Sequence, residues 1–322
     1  MVRFDNRQPF RIEADHIRIP RRVLSDICRF SAQYDDFEKL SHTFFLNYVQ
    51  EKLPTLFDLP MKVRSLLEKG HRFVLLNKFS FLRDESRIRD FLILSLTSCI
   101  GRPTATDQVE NRIIWKVTSE TRLPEGHTRT VTEHNLEAEL HTDTSYKDNP
   151  ERYVAFFVVR RAECGGGLSY ILDGRKLVGE LAKSSPGKEC LKALASYQYP
   201  FRVPTSFTRA RREETAEVIF APIISDTPLI RFRYDCIVKG FNCLPSYATK
   251  EALWAVDYFR KALTKSRRLT FDLNFGEILL TNNHEILHGR TAFTDMKRLL
   301  LRVRMESFSK GRTKKMTEAE LS

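Results

Sequence analysis

The feature that most constrains the fold is a series of short strand-like segments between about residues 127 and 305. Seven segments are short and rich in β-branched or aromatic residues: EAELHTD, RYVAFFVVR, GLSYILD, EVIFAPIIS, PLIRFRYD, GEILLTNN and RLLLRVRM. Two helical stretches, residues 175–196 and 250–266, interrupt the series. Strands and helices do not alternate regularly, and no Gly-rich phosphate loop is present. The pattern therefore predicts a double-sheet jelly roll rather than a doubly wound parallel sheet.

The remaining sequence patterns predict one domain over residues 1–322, mainly β with flanking helices around a double-stranded β-helix (jelly-roll, cupin-like) core. Helical spacing of apolar residues before about Gly70 predicts a helical N-terminal layer at 1–70. The jelly-roll core is expected at 71–305, with a highly charged, lid-like insert near 200–225. Residues 306–322 are expected to form a charged C-terminal tail.

The net charge of +12 indicates a surface that attracts anions, but it does not choose among nucleic acid, an acidic carrier domain and small acids. A nucleic-acid-binding module would need an ordered basic stripe with interleaved aromatic residues. The chain instead carries scattered pairs of arginines at 21–22, 160–161, 211–212 and 267–268. We therefore expect no nucleic-acid partner.

Two further patterns bear on the compartment. The longest apolar run, FLILSLTSCI, is half of the roughly 20 residues that span a bilayer, and no apolar signal segment is visible at the N-terminus. The six cysteines form no C-x-x-C pair and show no regular spacing, which indicates neither a zinc ribbon nor a disulfide framework. These patterns predict a cytoplasmic protein without a membrane partner.

Candidate metal ligands lie in two distant segments. In EAELHTD, His141 and Asp143 are expected on the same strand face, because strand side chains alternate. His288 follows the apolar strand EILL and is a candidate to meet them. Two imidazoles and one carboxylate form the facial triad of non-haem Fe(II) sites. Alone the pattern is weak, since such residues are also surface or core pairs, and a zinc hydrolase with the same ligands is a second interpretation.

The strand RLLLRVRM carries an arginine face that needs an explanation. Arg298, Arg302 and Arg304 alternate with apolar residues. One interpretation is a solvated outer face, as in many antiparallel sheets. The other is that Arg298 and Arg302 point into the barrel and bind a dicarboxylate, a task that suits the guanidinium fork. The zinc-hydrolase interpretation does not explain why arginines occupy this face of the strand.

These segments together resemble a known enzyme family. The run LHTDTSYKDNPERYVAFFVVRRAECGGGLSYILDG, then GEILLTNNHEILHGRTAF and RLLLR, is similar to the Fe(II)/2-oxoglutarate-dependent oxygenases of the taurine dioxygenase and clavaminate synthase-like group. The likeness covers roughly residues 70–305 and is specific in the H-T-D, GG-x-S and H-G-R-T-A-F blocks. It implies a dioxygenase that uses Fe(II), 2-oxoglutarate and O2, with His141, Asp143 and His288 as iron ligands.

The resemblance also implies residues for the cosubstrate. Arg298 would bind the C5 carboxylate of 2-oxoglutarate, and Arg302 would lie near its C1 carboxylate. Ser169 follows the paired glycines, where family members usually have threonine, and keeps the hydroxyl donor. Arg290 is expected to stabilise its own loop. Asp143 argues against a halogenase, because those relatives have a small residue at that position.

The substrate is the least constrained part of the interpretation. Relatives often act on amino acids, so we expect C–H hydroxylation or desaturation of a free amino acid or small derivative, in specialised metabolism such as antibiotic biosynthesis. An ammonium or guanidinium group would need carboxylates near the iron, and Glu137 and Asp235 are the candidates, with surface ion pairs as the alternative. The competing substrate is an aminoacyl group tethered to an acidic carrier protein.

Overall fold

The structure is a computed structural model that describes residues 10–13, 21–34, 36–77, 79, 86–119, 134–208 and 217–308. Helices in this part of the chain are α1 (Arg21–Gln33), α2 (His42–Lys52), α3 (Pro54–Glu68), α4 (Ser86–Ile100), α5 (Gly174–Leu181), α6 (Ser185–Ser196), α7 (Tyr234–Cys243) and α8 (Lys250–Lys265). Its strands are β1 (Phe10–Glu13), β2 (Phe73–Asn77), β3 (Arg102–Thr104), β4 (Trp115–Val117), β5 (Ala138–His141), β6 (Tyr153–Arg160), β7 (Ser169–Asp173), β8 (Tyr199–Arg202), β9 (Val218–Ala221), β10 (Leu269–Phe271), β11 (Ile278–Asn282), β12 (Ile286–Arg290) and β13 (Leu299–Glu306).

Two sheets form the centre of the molecule. The larger sheet has the order β1-β2-β11-β6-β13, and β3 and β4 both pair with β13. The smaller sheet has the order β10-β7-β12-β5. All pairs in both sheets are antiparallel except β1 with β2. Apolar side chains from both sheets share one cluster, among them Leu279 and Leu300 from the larger sheet and Ile171 and Ile286 from the smaller. The predicted double-sheet jelly roll with flanking helices is thus confirmed.

Helices cover the outer faces of both sheets. Helices α1 to α4 pack on the larger sheet in a cluster that includes Phe91 of α4 and Leu301, Val303 and Met305 of β13. Helices α5 to α8 pack with β8 and β9 on the smaller sheet, where Leu172 and Leu287 face them. Because side chains alternate along β13, its other face turns Leu300, Arg302 and Arg304 toward the space between the sheets.

Two strand predictions require correction. The segment PLIRFRYD forms no strand: Ile230 makes only an isolated bridge with Ile224, and the chain enters α7 at Tyr234. In contrast, the sequence around His288 was expected to be chain leaving a sheet, and it is instead the central strand β12. The helical stretches expected at 175–196 and 250–266 are present as α5, α6 and α8.

Several expected segments lie wholly or partly outside the described residues. The charged centre of the expected lid, residues 209–216, is not among them, whereas the flanking strands β8 and β9 pair as a two-stranded sheet. Of the expected C-terminal tail, only residues 306–308 are described. Among the described helices, none combines the length and the apolar composition needed to cross a bilayer.

Candidate metal centre

Two strands of the smaller sheet and the turn after one of them bring three ligand-type side chains together. His141 ends β5 and lies directly opposite His288 of β12, with ring centroids 4.5 Å apart. The Nε2 atoms of both histidines lie 3.8 Å from Oδ1 of Asp143. The three ligand atoms all lie within 4.8 Å of one another, and all three side chains are buried. The predicted convergence of these residues is therefore present.

A polar clamp holds the Asp143 backbone in place. Strand β5 ends at His141, so Asp143 is reached through a turn in which Thr144 has a φ of 54°. The side-chain amide of Asn283, just after β11, accepts from the Asp143 N–H at 2.8 Å and donates to the Asp143 carbonyl at 3.0 Å. Thus a residue from the larger sheet fixes a candidate ligand that follows the smaller one.

The two carboxylate oxygens of Asp143 have overlapping sets of partners. Oδ1 faces the imidazoles and accepts a hydrogen bond from Nη1 of Arg302 at 3.4 Å. Oδ2 accepts a hydrogen bond from Nε of Arg304 at 3.0 Å and lies 3.2 Å from the same Nη1 of Arg302. Burial alone would raise the pKa of Asp143, but the charges of Arg302 and Arg304, and then of the histidines, hold it well below its usual value. The carboxylate is therefore ionised and oriented with one oxygen available as a ligand.

Both histidines are held neutral. Burial, followed by the charge of His141, lowers the pKa of His288 to about 3, and burial also lowers the pKa of His141. The Nδ1–H of His141 donates to the carbonyl of Glu139 at 2.7 Å, which leaves its Nε2 lone pair facing Asp143. Two neutral imidazoles and one carboxylate on one side of a cavity fit a divalent first-row metal that keeps open coordination positions.

Buried arginines line the same cavity. Side chains around it include both histidines, Ser169, Arg298 and Arg302. Arg298 and Arg302 are 3% and 2% exposed, and within the described residues Nη1 of Arg298 and Nε and Nη2 of Arg302 have no hydrogen-bond partner. Burial lowers the pKa of Arg298 to about 9 and that of Arg302 to about 10. Buried cations with spare donors fit an anionic ligand such as a diacid.

The glycine-rich turn before β7 packs against the side chain of Arg298. Gly167 has a φ of +73°, and a Cβ there would lie 3.0 Å from Nε of Arg298. The Arg298 guanidinium also lies over the Phe293 ring, 5.2 Å from its centroid. Ser169 starts β7 opposite Arg290. Arg290 was expected to stabilise its own loop, but it ends strand β12, and its Nη2 donates instead to the carbonyls of residues 134 and 136, before β5.

The two carboxylates expected near the substrate do not line this cavity, as far as the chain is described. Glu137 is exposed and accepts from the Tyr170 hydroxyl at 2.7 Å. Asp235 does not end a strand, as was expected, but lies in the first turn of α7. Both of its oxygens accept from Arg233, at 3.0 and 3.2 Å.

Sequence reasoning missed two residues of the centre. Arg304 was placed on the correct strand face but received no role, although it contacts Asp143. Asn283 received none either, because its partner is 140 residues away along the chain. The alternation in RLLLRVRM was a usable signal for Arg304, whereas no local pattern marks Asn283.

Comparison with known proteins agrees with this geometry. A profile of the family described as "Taurine catabolism dioxygenase TauD, TfdA family" matches residues 37–304. A search of curated proteins found no match. Among solved structures, asparagine oxygenase in complex with Fe(II), 2S,3S-3-hydroxyasparagine and succinate has a TM-score of 0.65 at 15% identity, covering 92% of this chain and 93% of that chain.

A second similar structure is non-heme iron oxygenase OrfP in complex with Fe and alpha-ketoglutaric acid. Its TM-score is 0.64 at 14% identity, and the match covers 94% of this chain and 95% of that chain. The same enzyme with Fe, succinate and (3S)-hydroxy-L-Arg also has a TM-score of 0.64 at 14% identity, covering 94% of each chain. At these identities the likeness shows a common fold.

Proposed function

Because the chain belongs to the TauD/TfdA family of taurine catabolism dioxygenases, we propose that it oxidises a C–H bond of a free amino acid or a small amino-acid derivative. Enzymes of this family are Fe(II)/2-oxoglutarate-dependent oxygenases, and this chain is one of them, with O2 as the second cosubstrate. The observation that carries the proposal is the buried His-Asp-His cluster facing a cavity with spare guanidinium donors.

We assign His141, Asp143 and His288 as the iron ligands. Bound iron and 2-oxoglutarate supply the oxidising chemistry, in which 2-oxoglutarate is decarboxylated to succinate and CO2. The chain contributes a carboxylate held by Arg302 and Arg304, the Nε2 lone pair of His141, which is left free by the Nδ1–H bond to Glu139, and a second neutral imidazole from His288. Because these donors are oriented before the metal arrives, little reorganisation opposes binding.

We assign Arg298, Arg302 and Ser169 to the cosubstrate. Arg298 is placed to bind the distal carboxylate of 2-oxoglutarate, and Arg302, next to Asp143, to lie near the C1 carboxylate. Ser169 adds a hydroxyl donor at the start of β7. Phe156 and Leu300 contribute apolar side chains to the cavity wall, and charge-assisted hydrogen bonds beside an apolar wall are stronger than in water.

An amino acid is the proposed substrate because the similar structures were solved with hydroxylated asparagine and arginine. Hydroxylation is the proposed outcome, with desaturation as the alternative, in specialised metabolism such as antibiotic biosynthesis. Binding of a substrate ammonium group by Glu137 and Asp235 stays a prediction, and each of these carboxylates already accepts from another side chain. The alternative substrate is a carrier-tethered aminoacyl group, whose acidic carrier would suit the +12 charge.

A cytoplasmic location is also part of the proposal. All six cysteines are unpaired in the structure, and three of them are buried. Free thiols of this kind suit a reducing compartment.

Anaerobic titration with Fe(II) and 2-oxoglutarate tests the enzyme assignment. We expect the weak visible charge-transfer band of the chelated cosubstrate in the wild-type protein and its loss in His288→Ala. A panel of proteinogenic amino acids, assayed for substrate-stimulated succinate release, then tests the substrate class. Folded, iron-loaded protein without the band would contradict the assignment of the site.

A further inference from the structure

The guanidinium of Arg304 has N–H donors that no residue of the proposed site accepts from. Its Nε donates to Oδ2 of Asp143, but within the described part of the chain Nη1 and Nη2 have no hydrogen-bond partner. The side chain is 1% exposed, so bulk solvent does not reach these atoms. A buried guanidinium with one edge bonded and one edge free is a costly arrangement unless a ligand completes it.

Other unsatisfied donors surround the same place. The Arg304 guanidinium lies 5.7 Å from the centroid of the Phe207 ring. The rings of Trp115 and Tyr146 lie 5.4 and 5.8 Å from that ring. The indole Nε1 of Trp115 and the hydroxyl of Tyr146 are also buried without partners among the described residues. Three kinds of donor around one aromatic ring suit a ligand with several acceptor oxygens.

The nearby acids do not use this capacity. Asp143 is engaged on the Nε side of Arg304. Glu151 is close enough for its charge to favour the charged form of Arg304, but its Oε1 accepts from Lys147 at 2.6 Å and from Thr104 at 2.7 Å. No described ion pair joins Glu151 to Arg304, and Oε2 of Glu151 is also buried without a partner among the described residues. Within the described part of the chain, the free edge of Arg304 therefore has no bonded counter-charge.

We infer that Arg304 binds a free carboxylate of the substrate through Nη1 and Nη2, while its Nε holds Asp143. The inference rests on the proposed function and narrows it. A carrier-tethered aminoacyl group has a thioester in place of its α-carboxylate and, unless its side chain is acidic, offers this fork no anion. The inferred substrate is therefore an amino acid with a free α-carboxylate. Arg304 thereby couples substrate recognition to the orientation of a metal ligand.

Matched ligand pairs test this inference on the wild-type protein. The Fe(II)- and 2-oxoglutarate-loaded protein is titrated without oxygen, using each proteinogenic L-amino acid, its α-carboxamide and its N-acetylcysteamine thioester. We expect at least one acid to perturb the visible band, with an affinity about thirtyfold or more above that of its amide and thioester, as for a buried charge pair that has lost one partner. An amide or thioester that binds as tightly as the acid overturns the inference, as does a panel in which no acid binds.

Variants and a metal-free readout separate this inference from the proposed function. Because Arg304 also orients Asp143, Arg304→Gln is expected to weaken the Fe(II)·2-oxoglutarate band and to lose the acid-over-amide preference. Arg304→Lys is expected to recover part of that preference. In a Trp254→Phe background Trp115 is the only tryptophan, so its fluorescence reports acid binding without metal. If the band never forms but acids still bind at Trp115 and depend on Arg304, the proposed function fails and the Arg304 site stands. If the band forms and the preference survives in Arg304→Gln, only the Arg304 site fails.

Discussion

Asp143 contacts two groups of partners at once: Oδ1 faces the imidazoles, Oδ2 accepts from Arg304, and Nη1 of Arg302 lies within 3.4 Å of both oxygens. Asp143→Asn keeps the shape of the side chain but removes its charge. We expect bound iron to fall from about one equivalent to below a tenth. The metal-free variant should also be less stable than metal-free wild type by about 3 kcal/mol, because Arg302 and Arg304 lose their counter-charge. Metal analysis and urea unfolding measure the two effects.

The control for this variant is Asp257→Asn in α8, where the carboxylate is exposed and pairs with Lys261. We expect this change to leave iron content unchanged and to alter stability by less than about 0.5 kcal/mol. Full iron occupancy in Asp143→Asn would remove Asp143 from the ligand set.

Arg298 illustrates a conflict between stability and binding. Burial, and then the charge of Arg290, lower the pKa of Arg298 to about 9, which means that the folded state holds its charge less favourably than water does. Arg298→Met is therefore expected to raise the unfolding free energy of the ligand-free protein by about 1 to 2 kcal/mol and to abolish 2-oxoglutarate binding. Denaturant unfolding and anaerobic 2-oxoglutarate titration test the two parts.

The matched change Arg267→Met removes an exposed arginine. It should measurably alter neither the unfolding free energy nor the affinity for 2-oxoglutarate. A destabilised Arg298→Met protein that still binds 2-oxoglutarate would contradict both the energetic argument and the assigned role.

Among the elements, β13 was the most predictable and PLIRFRYD the least. The alternation along RLLLRVRM correctly predicted which side chains share a face, because both faces of that strand are buried against chemically different neighbours. In PLIRFRYD the buried side chains Ile230 and Phe232 give a similar alternating pattern, although no strand pairs with this segment among the described residues. Burial pattern alone does not reveal whether a neighbouring strand exists to pair with.

The glycine turn before β7 offers an element-scale test with a built-in control. Gly165 and Gly167 both have positive φ, 77° and 73°, so alanine at either position should cost a similar backbone energy of about 1 kcal/mol. Only at Gly167 would the added Cβ meet Arg298. We therefore expect Gly167→Ala to weaken 2-oxoglutarate binding about five- to tenfold and Gly165→Ala to leave it unchanged. Equal losses in both variants would show that the turn acts through general stability instead.

At the scale of the whole molecule, the site depends on contacts between chain segments that are far apart in sequence. Strands β5 and β12 place His141 opposite His288, while Asn283 ties the turn at Asp143 to the end of β11. Sequence patterns identified the ligand types, and the family resemblance paired them across the long interval. Neither source could give the register or the Asn283 clamp, since both depend on how the two sheets are stacked. The +12 charge likewise indicated an affinity for anions without locating the buried arginines that provide it.

Because His141, His288, Arg298 and Arg302 border one cavity and Asp143 contacts Arg302, metal and 2-oxoglutarate should stabilise the whole fold together. With Mn(II) in place of Fe(II) to prevent turnover, 2-oxoglutarate at about 100 times its Kd should add about 2.7 kcal/mol, or a rise in Tm of about 4 °C. Without metal, 2-oxoglutarate should give less than half of this rise, since a chelating diacid then loses two of its contacts and keeps only the arginines. Differential scanning calorimetry of the protein alone, with Mn(II), with 2-oxoglutarate and with both measures how far the two ligands reinforce each other's effect on Tm. Strictly additive shifts would mean that His141, Asp143 and His288 do not share a ligand with Arg298, and the single-site geometry would have to be abandoned.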